Sequence, residues 1–157
     1  NYRLPESNIR FDARIEMSGW NQHGYTGKMP NAEIISSVGI APLGKLVERP
    51  VPLWKDYGLK PYVSVRRSSA GDTLYCRLPY NSQVTPYLKV EAPAGKVIHI
   101  RTDNYEGGSQ YNARAEYVTR DGVQEYESLG WMNGHEMQYI LPEDRLRYRI
   151  YRFFQLQ

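Results

Sequence analysis

The sequence predicts an all-β fold: an antiparallel β-sandwich, jelly-roll-like, with long Pro- and Gly-rich loops and little helix. Three observations predict it. Short stretches alternate apolar and polar residues with a period of two, the pattern of strands with one face in a core. Turn residues recur about every 8–12 positions, the spacing of sandwiches and barrels. No long stretch keeps a helical period. The 14 Tyr against 3 Phe fit the same picture. Tyr is apolar along its body and polar at its tip, which suits half-buried sheet positions, interfaces and sugar-facing surfaces.

The elements follow in order. Ile9 to Met17 places apolar residues at odd positions and charged ones at even positions, a strand with one wet face. Trp20 to Pro30 is a polar, Gly-containing loop, and Ala32 to Ile40 is a second apolar run. Pro42, Pro50, Pro52 and Pro61 then punctuate a stretch that must be edge strand or extended connector, because proline donates nothing to a ladder. Trp54 would anchor it. Strands are predicted over Tyr62–Arg66 and Thr73–Leu78 around the turn Ser69-Ala-Gly-Asp72. Tyr87–Ala92 and Lys96–Thr102 flank Pro93-Ala-Gly95 and predict a tight hairpin. Ala113–Arg120 and Val123–Leu129 flank Asp121-Gly122, a strong hairpin signal. Met137–Leu141 and Leu146–Phe153 close the chain around Pro142-Glu-Asp144. The organisation expected is 1–41 as N-terminal strands and loop, 42–61 as connector and 62–157 as the main sandwich, in one compact domain.

Length and composition set bounds. At 157 residues the chain is long enough to bury a sizeable core in one domain. A net charge of +3 is weak for a nucleic-acid partner, and none is expected. No apolar run approaches the ~20 residues that span a membrane, and no membrane partner is expected. The single Cys76 excludes an internal disulfide and a cysteine zinc cluster, and its strand-like setting predicts an inert thiol. The chain opens on Asn1 and not on Met, so it is read as a processed or excised segment. The lack of a signal peptide then carries no information on export.

Few residues are arranged for chemistry. His23, His99 and His135 lack ligand spacing, so no metal is expected, and His99 is read as an outward, solvated strand residue. There is no Gly-x-Ser-x-Gly elbow and no Gly-rich phosphate loop, so neither a serine nucleophile nor a cofactor is expected. Glu125 and Glu127 share one strand face with α-carbons about 6.5–7 Å apart, a separation that an acid/base pair could use. A solvated strand face shows the same pattern. The residues suited to a polar ligand lie in loops: Asp103, Asn104 and Tyr105, then Trp131, Asn133 and His135. Flat aromatics with Asp, Asn and His suit sugar. Trp131 is read first as a cap on the core or a dock on a neighbouring domain and then as a sugar contact, and Asp103-Asn104 as an Asx-turn ahead of a weak calcium pair. The alternation of Arg145, Arg147 and Arg149 marks the last strand as a possible partner edge.

Several segments carry a family resemblance. They are Leu46-Val-Glu-Arg-Pro-Val-Pro-Leu-Trp-Lys-Asp-Tyr-Gly58, Pro86-Tyr-Leu-Lys-Val-Glu-Ala-Pro-Ala-Gly95, Ile100-Arg-Thr-Asp-Asn-Tyr105, Arg114-Ala-Glu-Tyr-Val-Thr-Arg-Asp-Gly122 and Leu129-Gly-Trp-Met-Asn-Gly-His135. From about Ala13 to Tyr139 the chain resembles the non-catalytic β-sandwich region of bacterial α-L-rhamnosidases, which are glycoside hydrolases. The resemblance implies an accessory domain whose partner is an (α/α)₆ barrel that holds the carboxylates for inverting hydrolysis. It also implies a periplasmic or extracellular setting. No segment matches the opening of that barrel, so no catalytic residue is carried over. The alternative is a carbohydrate-binding module for rhamnose-containing glycans. The end departs from the pattern: Leu146-Arg-Tyr-Arg149 fits, and Ile150 to Gln157 does not.

Overall fold

The computed structural model describes residues 9–15, 19–20, 22–27, 31–34, 37, 39, 44–53, 55–104, 114–142, 147–149 and 152–156. For Asp56, Arg114, 147–149 and 152–156 it describes the backbone only. Among these residues there are ten strands: β1 Arg10–Asp12, β2 Asp56–Pro61, β3 Ser64–Arg67, β4 Thr73–Ala92, β5 Val97–Thr102, β6 Arg114–Val118, β7 Gly122–Glu127, β8 Met132–Ile140, β9 Arg147–Arg149 and β10 Arg152–Leu156. The all-β expectation holds. Chain contacts divide into two units, residues 1–16 with 55–157, and residues 17–54. In the second unit Lys45–Leu53 is exposed and lies in no strand, and Gln22 and Tyr25 close turns on Gly19 and Gln22. Ile34 is 90% exposed and lies in no strand, so the described part of the Ala32–Ile40 run is not sheet.

β4 organises the first unit. Sequence patterning broke it into Thr73–Leu78 and Tyr87–Ala92, but the 20 residues run on through Pro79 and Pro86. Its first part lies between β3 and β8, its middle between β10 and β8, and its last part between β7 and β9. The prolines are tolerated where the register with β8 breaks, between Arg77 and Ser82, and where β4 changes neighbours. The main sheet has the order β1-β6-β5-β8-β4-β10-β2. β2 stands at its end, which accommodates Pro61 at an edge. The β1–β6 ladder is parallel and corrects the purely antiparallel expectation.

Only one of the three sequence-predicted hairpins among the described turns is a hairpin. β3 and β4 pair around Ser68–Asp72, with Ser68 Oγ donating to Asp72 Oδ1 at 2.6 Å. β4 and β5 do not pair, nor do β6 and β7. β5 and β6 pair with each other in the main sheet, and β7 pairs with β4. Pro93–Lys96 and Thr119–Asp121 are therefore two arches that carry the chain from one ladder to the other. They hold each other: Gly95 N donates to Thr119 O at 2.8 Å, Thr119 N to Lys96 O at 2.8 Å and Ala94 N to Asp121 Oδ1 at 2.8 Å. The glycines were read correctly as turn residues, with φ of 84° at Gly95 and 85° at Gly122. What the turns join was not.

The two ladders face each other through an aromatic contact. Tyr117 of β6 stacks on Tyr126 of β7 with centroids 4.6 Å apart, and Phe11 of β1 lies 5.0 Å from Tyr126. Leu74, Cys76, Leu78, Val84, Leu88 and Val90 of β4 fill the core with Ile98, Ile100, Met137 and Tyr139. β1 is shorter than Ile9–Met17 because Asp12 ends it. Its Oδ1 accepts from Arg14 N at 3.0 Å and Arg14 Nε at 2.8 Å, an Asx-turn that outcompetes the ladder.

Candidate functional site

The predicted ligand residues lie near a bulge in the β4–β8 ladder, where β4 carries the extra residues. The register pairs Glu136 with Arg77 and Gly134 with Ser82, so four residues of β4 pass while β8 advances by one. On β8 His135 is exposed and Glu136 half-buried, where strict alternation would bury one of them. Asp103, at the end of β5, fills the place of the missing strand acceptor. Its Oδ1 accepts from His135 N at 2.9 Å and Glu136 N at 3.1 Å. Its Oδ2 lies 3.5 Å from His135 Nδ1. Gly134 is required for this approach. A Cβ there would overlap Asp103 Oδ1 and fall 2.8 Å from Thr102 Cβ.

Gly134→Ala is accordingly expected to push Asp103 off both amides and cost about 2 kcal/mol, the scale of two partly exposed charge-assisted hydrogen bonds plus strain. In an Asp103→Ala background the same change should cost less, since the Asp103 part of the obstruction is gone and only Thr102 Cβ, 2.8 Å away, remains. Urea unfolding of the four proteins measures this, and additive losses would contradict the bulge assignment.

The other candidates divide. Asn133 and His135 are exposed on one face of β8, and Trp131, one residue before it, is half-buried. Asn104 is exposed next to Asp103, and Tyr105 lies outside the described residues. Asp103 and His135 are thus brought together, but Asp103 is committed to the backbone. Of the Asx-turn and calcium readings of Asp103, neither describes its bond across strands to β8.

Glu125 and Glu127 form a solvated face of β7. Lys89 Nζ lies 2.5 Å from Glu125 Oε1, and this hydrogen bond first, then one from Tyr87, holds the Glu125 carboxyl below its ordinary pKa. Glu127 accepts from Thr85 Oγ1 at 3.1 Å. A general acid needs a raised pKa, and Glu125 is moved the other way. Cys76 is fully buried, and burial pushes its thiol up to about 12, so it is not a nucleophile at neutral pH. His99 is half-buried, with Nδ1 3.4 Å from Glu116 Oε1, which corrects the solvated reading.

Sequence reading missed the outward face of the main sheet beside this bulge. Arg66 of β3 lies over the Tyr75 ring, 3.8 Å from its centroid, and its Nη2 reaches both Glu136 carboxylate oxygens at 3.3 and 3.4 Å. Arg101 Nε donates to Gln138 Oε1 at 2.9 Å. The signal was present in the alternation of Ser64–Arg67 and Thr73–Leu78, but only the register shows that these residues share a face.

Neither a protein-family model nor a curated protein matches the chain. Among solved structures, the α-L-rhamnosidase from Dictyoglumus thermophilum matches with a TM-score of 0.69 over 94% of this chain at 19% sequence identity. The GH78 family rhamnosidase of Bacillus sp. GL1 matches at 22% identity over 68% of this chain, with a TM-score of 0.37. The chain spans 18% of the first of these proteins and 11% of the second. At such identity the first likeness establishes the fold: this chain has the fold of one region of a much longer α-L-rhamnosidase.

Proposed function

We propose that the chain is a non-catalytic β-domain of an α-L-rhamnosidase-like glycoside hydrolase, a scaffold for a catalytic (α/α)₆ barrel on the same polypeptide. The carrying observation is the match of 94% of this chain to 18% of a solved rhamnosidase at a TM-score of 0.69. The carboxylates support it. The one pair that spacing offered, Glu125 and Glu127, is solvated, and Glu125 is tuned toward a permanent anion. On this reading the protein works by rigidity: β4 and the two arches present loops at fixed positions to the neighbouring domain. Its setting is periplasmic or extracellular, where polysaccharide is degraded.

The isolated chain is expected to leave an aryl α-L-rhamnoside intact. Hydrolysis that disappears in Glu125→Gln would overturn the reading. Sequencing onward from the codon for Gln157 checks the partner. A frame that closes without a barrel sinks the scaffold role.

A further inference from the structure

We propose that the outward face of β3, β4 and β8 binds carboxylate-bearing glycans, with Arg77 and Arg66 as the carboxylate-recognising pair. That the ligand is a glycan rests on the functional reading above. The anion site itself rests on the geometry.

Arg77 stands opposite Ser64 on β3 and opposite Glu136 on β8. Directly opposed residues of unlike charge ordinarily pair. Here Glu136 turns to Arg66 instead, on the far strand. The Arg77 side chain is exposed and makes no hydrogen bond or ion pair to any described residue. Among the described residues the Arg77 guanidinium therefore has no ion-pair partner, and it lies diagonal to Arg66. Arg66 has its plane fixed by the Tyr75 ring beneath it. A planar fork held in place gives up little rotamer freedom when it meets a carboxylate in bidentate fashion. Both Glu136 oxygens sit on Arg66 Nη2 alone, so the other edge of that guanidinium makes no hydrogen bond to a described residue. Ser64, exposed opposite Arg77, sets a hydroxyl beside it. A hydroxyl there suits a sugar hydroxyl, while the Arg77 charge selects an acidic sugar. Asp103 is turned into the bulge and makes no ion pair with Arg77.

Affinity electrophoresis of the whole chain in gels containing polygalacturonate tests this, with neutral galactan and polyglutamate gels alongside. Polygalacturonate is expected to retard the chain, less so as salt is raised, while galactan does not. Arg77→Gln and Arg66→Gln should each weaken retardation about fivefold or more. Arg49→Gln removes one charge from an exposed segment of the second unit and should leave it unchanged. Thermal unfolding of each variant within a few degrees of the parent confirms folding. No retardation by polygalacturonate overturns the proposal. So does equal loss in Arg49→Gln and Arg77→Gln, which would mean net charge alone. Equal retention by polyglutamate overturns the glycan class. A downstream barrel without uronate binding sinks this proposal only, and uronate binding without a barrel sinks only the scaffold reading.

Discussion

Replacing Gln124 by Ala is expected to destabilise the protein by about 3–5 kcal/mol, far more than a polar residue usually costs. Gln124 is 2% exposed and fills its hydrogen-bonding capacity at the Thr119–Asp121 arch. Oε1 accepts from Tyr117 OH at 3.0 Å and Arg120 N at 2.9 Å. Nε2 donates to Arg120 O at 2.7 Å and Gly122 O at 2.9 Å. One side chain thus satisfies three backbone groups that a paired hairpin would have satisfied through its ladder. Truncation strands four polar groups at about 1–3 kcal/mol each where water does not reach, and leaves a void under Tyr117. Water at the exposed side of Arg120 and Gly122 brings the sum down to the stated range. Gln124→Glu is the sharper variant. Its carboxylate keeps both acceptor contacts and loses both donor contacts, facing two carbonyls. Burial and those carbonyls raise the folded pKa of the introduced acid, so the protein should regain stability as pH falls toward the unfolded value and lose it as pH rises. Urea unfolding of both variants across pH measures this. A loss below about 1 kcal/mol for Gln124→Ala would show that the arch does not depend on this residue.

The same arch shows where sequence reading stopped. Asp121-Gly122 and Pro93-Ala-Gly95 announce positive φ and a reversal, and both are present. Turn chemistry is local, so it specifies that the chain turns. Whether the flanking strands then pair with each other or face each other across a core depends on which neighbours are already taken. β8 occupies the far edge of β5, and β7 finds β4. The buried Gln124 was the readable sign, a long amide placed two residues past a Gly turn, but an amide there looks no different from a solvated one. The parity of β4 was legible in both halves. Its continuity through Pro79 and Pro86 was not, since proline argues for a break unless an irregular register absorbs it.

The candidate site divides along the same line. Asp103 and His135 were picked for their chemistry, and the fold does bring them within 3.5 Å. Only the register shows that Asp103 is occupied by the β8 backbone. Arg66 and Arg77 were invisible for the opposite reason. Arginine on a strand next to Ser or Tyr is the ordinary composition of a wet face. Their significance comes from Glu136 choosing one of them, which depends on three strands lying in order.

Raising the pH above about 9 is expected to unfold the protein steeply, and Tyr139 is the residue through which this is best tested. Tyr139 lies on β8 between Leu74 and Ile100, fully buried. Its hydroxyl donates to Tyr87 O at 3.0 Å and stands 2.9 Å from Tyr62 OH, which must then be the donor of that second bond. Burial first raises the pKa of Tyr139, the same cause pushes Tyr62 well up, and Cys76 beside them rises to about 12. All three are acids with raised folded pKa values. Their contribution is therefore complete below the unfolded values of 9.0 for the thiol and 10.0 for the phenols. Above them the unfolded chain releases protons that the folded chain keeps, and stability falls at about 1.4 kcal/mol per pH unit for each group. Tyr139→Phe should cost about 1–3 kcal/mol at neutral pH, because Tyr62 OH and the Tyr87 carbonyl each lose a partner. Yet its stability should decline more gently above pH 10, by roughly one proton's worth of slope. The two curves of unfolding free energy against pH must therefore converge, which a simple packing defect would not produce. Urea unfolding at a series of alkaline pH values, with phenolate absorbance followed in parallel, decides it. Parallel curves would mean that Tyr139 ionises in the folded protein, and the buried hydroxyl chain from Tyr62 to Tyr87 would have to be abandoned.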